Sequence, residues 1–393
     1  MSANTDIRPA DRPGDTARLR AFIGGELSEE RARGFDAHLA RPRYRPAFTL
    51  LAERGGEIAG YALLGHERRR LGAATLEAGR LEHVFVRPAD RRQGMFTALM
   101  GAALRALYDE GLPFALLCAP LALAASFGFA PYRYDAVVAL PERLPAGRPL
   151  VPEVQPEIDE LAALFDRCYG ALALSQERAL PDWRALLADS PPPLTLRDRQ
   201  DRLVGYVLLA PPAPGDGGAL RVAEAAAADS GSAAALLAGL GAAAASRPIA
   251  PLDLPPGHLI ARAALQLGGE LRLRAAPSEG MVEQAGVVDI AAALAALAPE
   301  LERHLAVSRY AGWSGAIGIE TDDERVTLVL ADGRADAIDG SRPADVRLRR
   351  AALPALTQLL LGYRDAADLR AAGGLDCDDQ ALGLFDALFP VVL

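Results

Sequence analysis

Apolar and polar positions along the first third of the chain alternate in a way that predicts strands separated by helices. From Ile7 the pattern reads as a short strand and then an amphipathic helix over about Thr16 to Leu27. Two strands, Ala47 to Glu53 and Ile58 to Leu64, flank Arg54-Gly55-Gly56-Glu57, whose glycines suit a hairpin turn. A third strand, Arg80 to Val86, stops at Pro88; helical spacing then runs from about Gln93 to Tyr108, ahead of an apolar strand over Pro113 to Cys118. This order predicts a sheet with helices packed on it. The basic run His66 to Arg70 falls at a predicted strand end and reads as a solvated hairpin tip.

Five prolines between Leu140 and Pro156 interrupt the pattern and mark a domain boundary. An echo follows. T-L-L-A-E-R-G-G-E-I-A-G-Y-A-L-L (Thr49 to Leu64) aligns with L-T-L-R-D-R-Q-D-R-L-V-G-Y-V-L-L (Leu194 to Leu209), which predicts a duplicated hairpin. After the second copy come a strand at Leu220 to Glu224 and an alanine-rich helix at about Ser232 to Ser246, with no arginine between them. The last part reads as a hairpin, Ala316 to Glu320 with Val326 to Leu330, then a strand at Asp345 to Leu348 and an apolar helix at Leu353 to Leu361. The expected division is three domains, 1–145, 146–290 and 291–393, in an α+β protein.

Composition supports three cores, because 51% of the 393 residues are hydrophobic. Lysine is absent, so every basic side chain at neutral pH is arginine, and the formal charge is -9. That balance argues against nucleic acid as a partner, since polyanion binders carry a basic excess. Cys118, Cys168 and Cys377 are too few and too scattered for a disulfide framework or a metal site. The start, M-S-A-N-T-D-I-R-P, lacks signal-peptide features, and no uncharged run approaches the ~20 residues of a membrane helix. The expectation is a cytoplasmic protein with no membrane partner.

Candidate chemistry concentrates in V-R-P-A-D-R-R-Q-G-M-F, Val86 to Phe96, where a strand, a basic turn and a helix start follow one another. A helix start exposes unpaired N–H groups and a partial positive charge, which suits phosphate oxygens. Arg91 and Arg92 would add charge-assisted bonds, and Gly94 would let the backbone approach the ligand. Neither the P-loop spacing nor G-x-G-x-x-G is present, which removes nucleotide hydrolysis and hydride transfer.

The stretch resembles motif A of the GCN5-related N-acetyltransferases (GNAT), [QR]-x-x-G-x-[GA], with Arg91-x-x-Gly94 in place and Phe96 at the last position. It is closer still to the Eis-like branch, in which V-x-V-x-P-x-x-R-R-x-G precedes a bulky residue, and Leu348 to Tyr363 is similar to that branch's carrier-like helix. The resemblance implies tandem GNAT folds, each a mixed β-sheet with flanking helices and the second without its cofactor loop, followed by a sterol-carrier-protein-like α+β domain. It implies acetyl-CoA as acetyl donor, no metal, and a homo-hexamer. The donor would meet the backbone of Val84, Phe85 and Val86, the turn residues Arg91, Arg92, Gln93, Gly94, Met95, Phe96 and Thr97, and, after the next strand, Ala119 and Pro120.

Acetyl transfer to an amine requires a base for the nucleophile and an acid for the departing thiolate. The family takes its acid from the first tyrosine of Y-x-R-F-G-Y, where this chain has Ala124-Ala125-Ser126-Phe127-Gly128-Phe129. Tyr132 and Tyr134, two apart on a predicted strand and so on one face, are the replacements, Tyr132 being the chosen candidate. The family's base is the C-terminal carboxylate, which here would belong to Leu393. Glu82 is a reserve base and His83 a substrate contact, expected on opposite faces of one strand. Net acidity points to a small cationic acceptor such as an aminoglycoside or polyamine. The alternative is a coenzyme A or acyl-binding protein that lost its chemistry with the tyrosine.

Overall fold

The computed structural model describes residues 5–170, 172–188, 190–211, 218–245, 247–274, 281–340 and 342–391. The first stretch forms β1 (Thr5–Pro9), α1 (Asp15–Glu26), α2 (Glu29–Leu39), β2 (Thr49–Arg54), β3 (Glu57–Leu71), β4 (Ala74–Val86), α3 (Met95–Asp109), β5 (Phe114–Ala119), α4 (Leu121–Ala125) and β6 (Ala130–Pro131). The middle forms β7 (Asp135–Ala139), β8 (Val151–Pro152), α5 (Ile158–Tyr169), β9 (Ser175–Glu177), α6 (Leu180–Ala188), β10 (Leu194–Arg197), β11 (Leu203–Leu209), β12 (Val222–Ala227), α7 (Ser230–Ala244), β13 (Leu252–Leu254), α8 (Leu259–Gln266) and β14 (Glu270–Arg274). The last forms β15 (Val282–Val287), α9 (Ile290–Val307), β16 (Gly315–Glu320), β17 (Arg325–Ala331), β18 (Arg334–Asp339), β19 (Val346–Ala351), α10 (Leu353–Leu360), α11 (Ala366–Ala371), β20 (Leu375–Cys377) and α12 (Asp379–Leu388).

Two compact units result, Met1–Tyr132 with Ser278–Val392, and Arg133–Pro277. In the first unit one sheet runs β1-β2-β3-β4-β5-β15-β6 and another β18-β17-β16-β19-β20. In the second unit the sheets run β12-β11-β10-β8 and β13-β7-β14. The two units share a strand logic. β15 lies between β5 and β6, and β7 lies between β13 and β14, so each of these sheets takes one interior strand from a distant stretch of chain. Packing therefore changes at 132/133, ahead of the proline-rich segment. That segment lies inside the second unit, with Leu150 buried and Leu140 and Leu144 packed on its core.

The duplicated hairpin is present as β2–β3 and β10–β11, both antiparallel. Its repeated Gly-Tyr has a packing cause. A Cβ on Gly60 would lie 2.7 Å from the Phe85 carbonyl oxygen of the neighbouring strand and 3.1 Å from Leu99 of α3, and one on Gly205 would lie 3.0 Å from Leu236 of α7. Glycine therefore gives the Gly60 strand room beside β4 and lets each helix settle onto its hairpin. Tyr61 and Tyr206 are both buried. In the first sheet the strands are covered on two faces: Leu50, Ala62 and Leu64 meet α3, whereas Leu51, Tyr61 and Leu63 meet α1 and α2. Double coverage explains their near-continuous apolar runs.

The run His66 to Arg70 is not a solvated tip. β3 continues to Leu71 and pairs with β4 through Leu71↔Ala74. Its charges are satisfied across the strands: Glu67 binds Arg69 at 2.6 Å and also Arg80, which binds Glu283 of β15 at 2.5 Å. Burial pushes the Glu67 carboxyl up, but the Arg69 and Arg80 guanidinium groups outweigh it and hold it below the usual range. Its stabilisation is therefore present above the ordinary glutamate pKa and fades as pH falls through the lowered one. Arg80→Ala, which leaves Glu67 and Glu283 with Arg69 as their one remaining shared cation among the described residues, should cost about 2–3 kcal/mol in a urea unfolding series and remove part of that acid sensitivity.

The C-terminal sheet has the expected hairpin, β16–β17, with β18 added antiparallel to β17 and β19 parallel to β16. Among the described residues no helix is long and apolar enough to cross a membrane.

Candidate functional site

β4 and β5 run parallel and pair from Ala78↔Phe114 to Leu81↔Leu117, where their pairing ends. β4 stays with β3 as far as Val86↔Gly60, while β5 stays with β15 as far as Ala119↔Val282, so the strands part. Arg87 donates its N–H to Ala59 O at 2.8 Å. In an antiparallel ladder that phase makes Phe85 bond toward β3 and leaves the peptide groups of Val84 and Val86 facing the gap.

The turn beyond the strand is built for an anion. Arg92 has φ +59° and Gly94 φ +80°, a left-handed geometry that turns successive N–H groups the same way. Gly94 precedes α3 with no side-chain cap among the described residues, so the first-turn amides are open to an external acceptor. Buried Asp90 clamps the turn, accepting from Arg54 Nη1 at 3.0 Å and Arg87 Nε at 2.7 Å. Arg91 donates Nε to Val86 O at 3.0 Å and lies over the Phe85 ring at 5.9 Å. Arg92 has no ion-pair partner among the described residues and is exposed.

Val84, Phe85, Val86, Arg91, Arg92, Gly94, Phe96 and Thr97 line one cleft of about 400 Å³. The side chains of Gln93, Met95, Ala119 and Pro120 are placed otherwise. Gln93 accepts from Arg54 at 2.5 Å, and Met95 is buried in the core under α3. Ala119 is buried, with its carbonyl taken by Gln284 Nε2 at 3.0 Å, and Pro120 stands exposed at the start of α4.

Residues 26–132 match the acetyltransferase (GNAT) domain family, and residues 317–392 match the sterol carrier protein domain family. The chain is a GNAT-fold protein with a C-terminal sterol-carrier-like domain. Solved structures similar to it along nearly its whole length include a GCN5-related N-acetyltransferase from Anabaena variabilis, with TM-score 0.73 and 16% identity over 98% of this chain and 97% of that one. A GCN5-related N-acetyltransferase from Kribbella flavida aligns with TM-score 0.67 and 17% identity over 99% and 97%. Eis1 from Mycobacterium abscessus aligns with TM-score 0.62 and 19% identity over 98% and 97%. No curated protein matches the sequence. Acyl transfer from an acyl-coenzyme A donor is the general chemistry of the GNAT domain.

The second GNAT-like sheet has the same strand-to-helix junction without the cradle. Between β12 and α7 the turn is short, and Asp229 caps the helix by accepting from Ser232 N–H at 2.7 Å. The protein's own carboxylate thus occupies the end where a ligand anion would sit.

Ala124 in α4 is fully buried, and the Ser126 hydroxyl is committed to Leu123 O at 2.8 Å, so neither stands in for an acid. Phe127 packs edge-on against Phe96 at 5.9 Å. Tyr132 and Tyr134 do not share a strand face: both lie in the connection between β6 and β7, where the chain leaves one sheet for another. Tyr132 is buried and Tyr134 partly exposed.

Glu82 and His83 do not point to opposite faces either. The β3–β4 register steps from Leu63↔His83 to Leu64↔Leu81, which makes Glu82 a bulge and turns both side chains toward the α1–α2 layer. Glu82 takes His38 Nδ1 of α2 at 3.0 Å and pairs with Arg41. Burial, with help from Arg41, pushes the His38 imidazole down to about 4. His83 stacks on Tyr61 at 5.3 Å. Sequence reasoning missed His38, Tyr61 and the Asp90 clamp; only Asp90, an acid inside a basic turn, left a signal.

Leu393 lies outside the described residues. Before it, α12 ends at Leu388, whose carbonyl accepts from His304 Nδ1 at 2.9 Å, and Phe389 is buried. In the second unit, Cys168 Sγ lies 3.3 Å from His258 Nε2. His258 Nδ1 accepts from Ile260 N–H at 3.2 Å, which places the ring proton on Nε2, facing the sulfur. That direction is opposite to thiol activation, so the pair is structural.

Proposed function

We propose that the chain is an acetyl-CoA-dependent N-acetyltransferase acting on a primary amine of a small molecule. The observation that carries this is the opening between β4 and β5 beyond Leu81, which runs directly into a helix start that, among the described residues, has no side-chain cap and is flanked by an Arg92 with no ion-pair partner. The residues fit the donor: first-turn amides and Arg92 for the pyrophosphate, with Arg91, Gln93, Gly94, Met95, Phe96 and Thr97 shaping the turn. The inward peptide edge of Val84 to Val86, together with Ala119 and Pro120, meets the pantetheine arm. The donor supplies an activated thioester.

At that edge an N–H pointing into the gap polarises the thioester carbonyl, as an oxyanion hole does. The amine nitrogen forms the new C–N bond as the C–S bond breaks; one proton leaves nitrogen and one reaches sulfur. The Leu393 carboxylate is the proposed base, with Glu82 in reserve, and Tyr132 is the candidate acid. The reading assigns donor binding to 1–145, a degenerate copy to 146–290 and the carrier-like domain to 291–393. It includes cytoplasmic residence and a homo-hexamer.

One observation favours a second reading. Ala124 and Ser126 leave no proton donor at the family's acid position, which fits a coenzyme A or acyl-binding protein without turnover. An amine panel with acetyl-CoA, followed by mass spectrometry of the acetylated product, decides. Turnover that Tyr132→Phe lowers about 10²-fold or more supports the first reading. Tight donor binding with no product on any amine leaves the second.

A further inference from the structure

On its α1–α2 side, β4 carries a second recognition surface beside the proposed site of transfer. Tyr61 and Phe85 lie 5.9 Å apart, His83 stacks between their neighbours at 5.3 Å from Tyr61 and 6.5 Å from Phe85, and Phe22 of α1 meets Phe85 edge-on at 6.0 Å. Phe22, His83 and Phe85 are partly exposed, with Tyr61 buried behind them. Such a wall takes an aromatic or apolar group.

Charge then selects what else the ligand carries. Arg31 of α2 is exposed and has no ion-pair partner among the described residues. α2 packs on this side of the sheet, its Ala32 and Phe35 sharing one core cluster with Tyr61 against which Phe22 and Phe85 also pack, so Arg31, next to Ala32, stands beside the wall. Burial first, and then the Arg31 charge, hold the His83 imidazole below its ordinary range. A neutral imidazole has one proton. His83 Nδ1 is buried without a hydrogen-bond partner among the described residues, and because an unbonded buried N–H costs more than an unbonded lone pair, we place the proton on Nε2, the nitrogen that can meet a ligand. Glu82, the carboxylate on the same part of β4, is already matched by Arg41 and His38. Aromatic rings alone would also accept a cation; Arg31 decides against one.

We propose that the acceptor is an amine that also bears an aromatic or apolar group and a carboxylate, as a free aromatic amino acid does, the wall of Phe22, Tyr61, His83 and Phe85 taking the ring and Arg31 with His83 Nε2 the carboxylate. This rests on the transferase reading and names its acceptor class. It departs from the cationic acceptor expected from the net charge, because Glu82 beside the wall is already paired, whereas Arg31 has no ion-pair partner among the described residues.

The full chain is assayed with acetyl-CoA on phenylalanine, on phenethylamine, which lacks the carboxylate, and on spermidine and kanamycin. Phenylalanine should exceed phenethylamine in kcat/KM by about tenfold or more, the effect of one charge-assisted contact. Arg31→Glu should reverse that order, while Arg33→Ala, an exposed arginine on the same helix, should keep it. Faster acetylation of spermidine or kanamycin, or a ratio that Arg31→Glu does not move, overturns the inference. Calorimetric titration of the same amines into coenzyme A-saturated protein separates the two readings. Carboxylate-dependent binding that Arg31→Glu abolishes, without turnover, keeps the pocket and removes the transferase. Turnover without carboxylate preference in either measurement removes the pocket and keeps the transferase, whereas neither turnover nor carboxylate-dependent binding removes both.

Discussion

Arg92→Ala should weaken coenzyme A binding about 10- to 100-fold, the cost of one or two charge-assisted bonds to phosphate. The size of the loss follows from what Arg92 does in the free protein. It is exposed and has no ion-pair partner among the described residues, so its charge is available, and its φ of +59° holds it within the turn that leads to Gly94. Arg91 is different. Its Nε is already bonded to Val86 O, and its guanidinium lies over Phe85, so Arg91→Ala should cost less in phosphate attraction and more in the shape of the cleft. Calorimetry at low and high salt checks the assignment, because an exposed charge contact shrinks as ionic strength rises. S-acetylpantetheine, which lacks the pyrophosphate, should bind wild type and Arg92→Ala alike. Equal losses for both donors would place Arg92 elsewhere in the site.

The turn was legible because strand, basic turn and helix start are local in sequence, and the asymmetric chemistry of a helix end depends on few residues. The Gly-Tyr echo was legible for a similar reason: each copy repeats one contact, glycine under the leucine of the next helix. What stayed hidden depends on distant partners. His66 to Arg70 looks like a solvated tip until Glu283, more than 200 residues away, supplies the carboxylate that lets Arg80 sit inside a sheet. β15 and β7 each complete a sheet built mostly from another stretch of chain, and no periodicity reports which sheet a strand joins. The Glu82 bulge overturned a face assignment that rested on strict alternation, because one extra residue resets the period of two. That reset put His83 among Tyr61, Phe85 and Phe22, which sequence reasoning had not brought together.

Two glycines added after Leu393 should lower kcat about 10²- to 10⁴-fold, the range for loss of a positioned acid or base, while coenzyme A affinity stays unchanged. The argument is one of reach. Each added residue moves the terminal carboxylate by up to ~3.6 Å, which exceeds the tolerance of a hydrogen-bonded proton transfer. The chain leading to the end is anchored, since His304 holds the Leu388 carbonyl and Phe389 is buried, so the addition cannot be absorbed by sliding α12. His304 also lies 2.9 Å from Glu300, whose carboxylate accepts Ala73 N–H at the β3–β4 turn at 2.7 Å, which ties the anchor to the sheet that carries the cleft. A terminal carboxyl has an ordinary pKa of about 3.5, so it is ionised wherever the amine can be made neutral, and turnover should rise with pH as the ammonium loses its proton. Amidating the terminus at unchanged length removes the charge and keeps the reach, and should lower kcat as the extension does. If the extended chain keeps its full kcat, the base is not the terminus, and Glu82→Gln becomes the variant that must lose turnover.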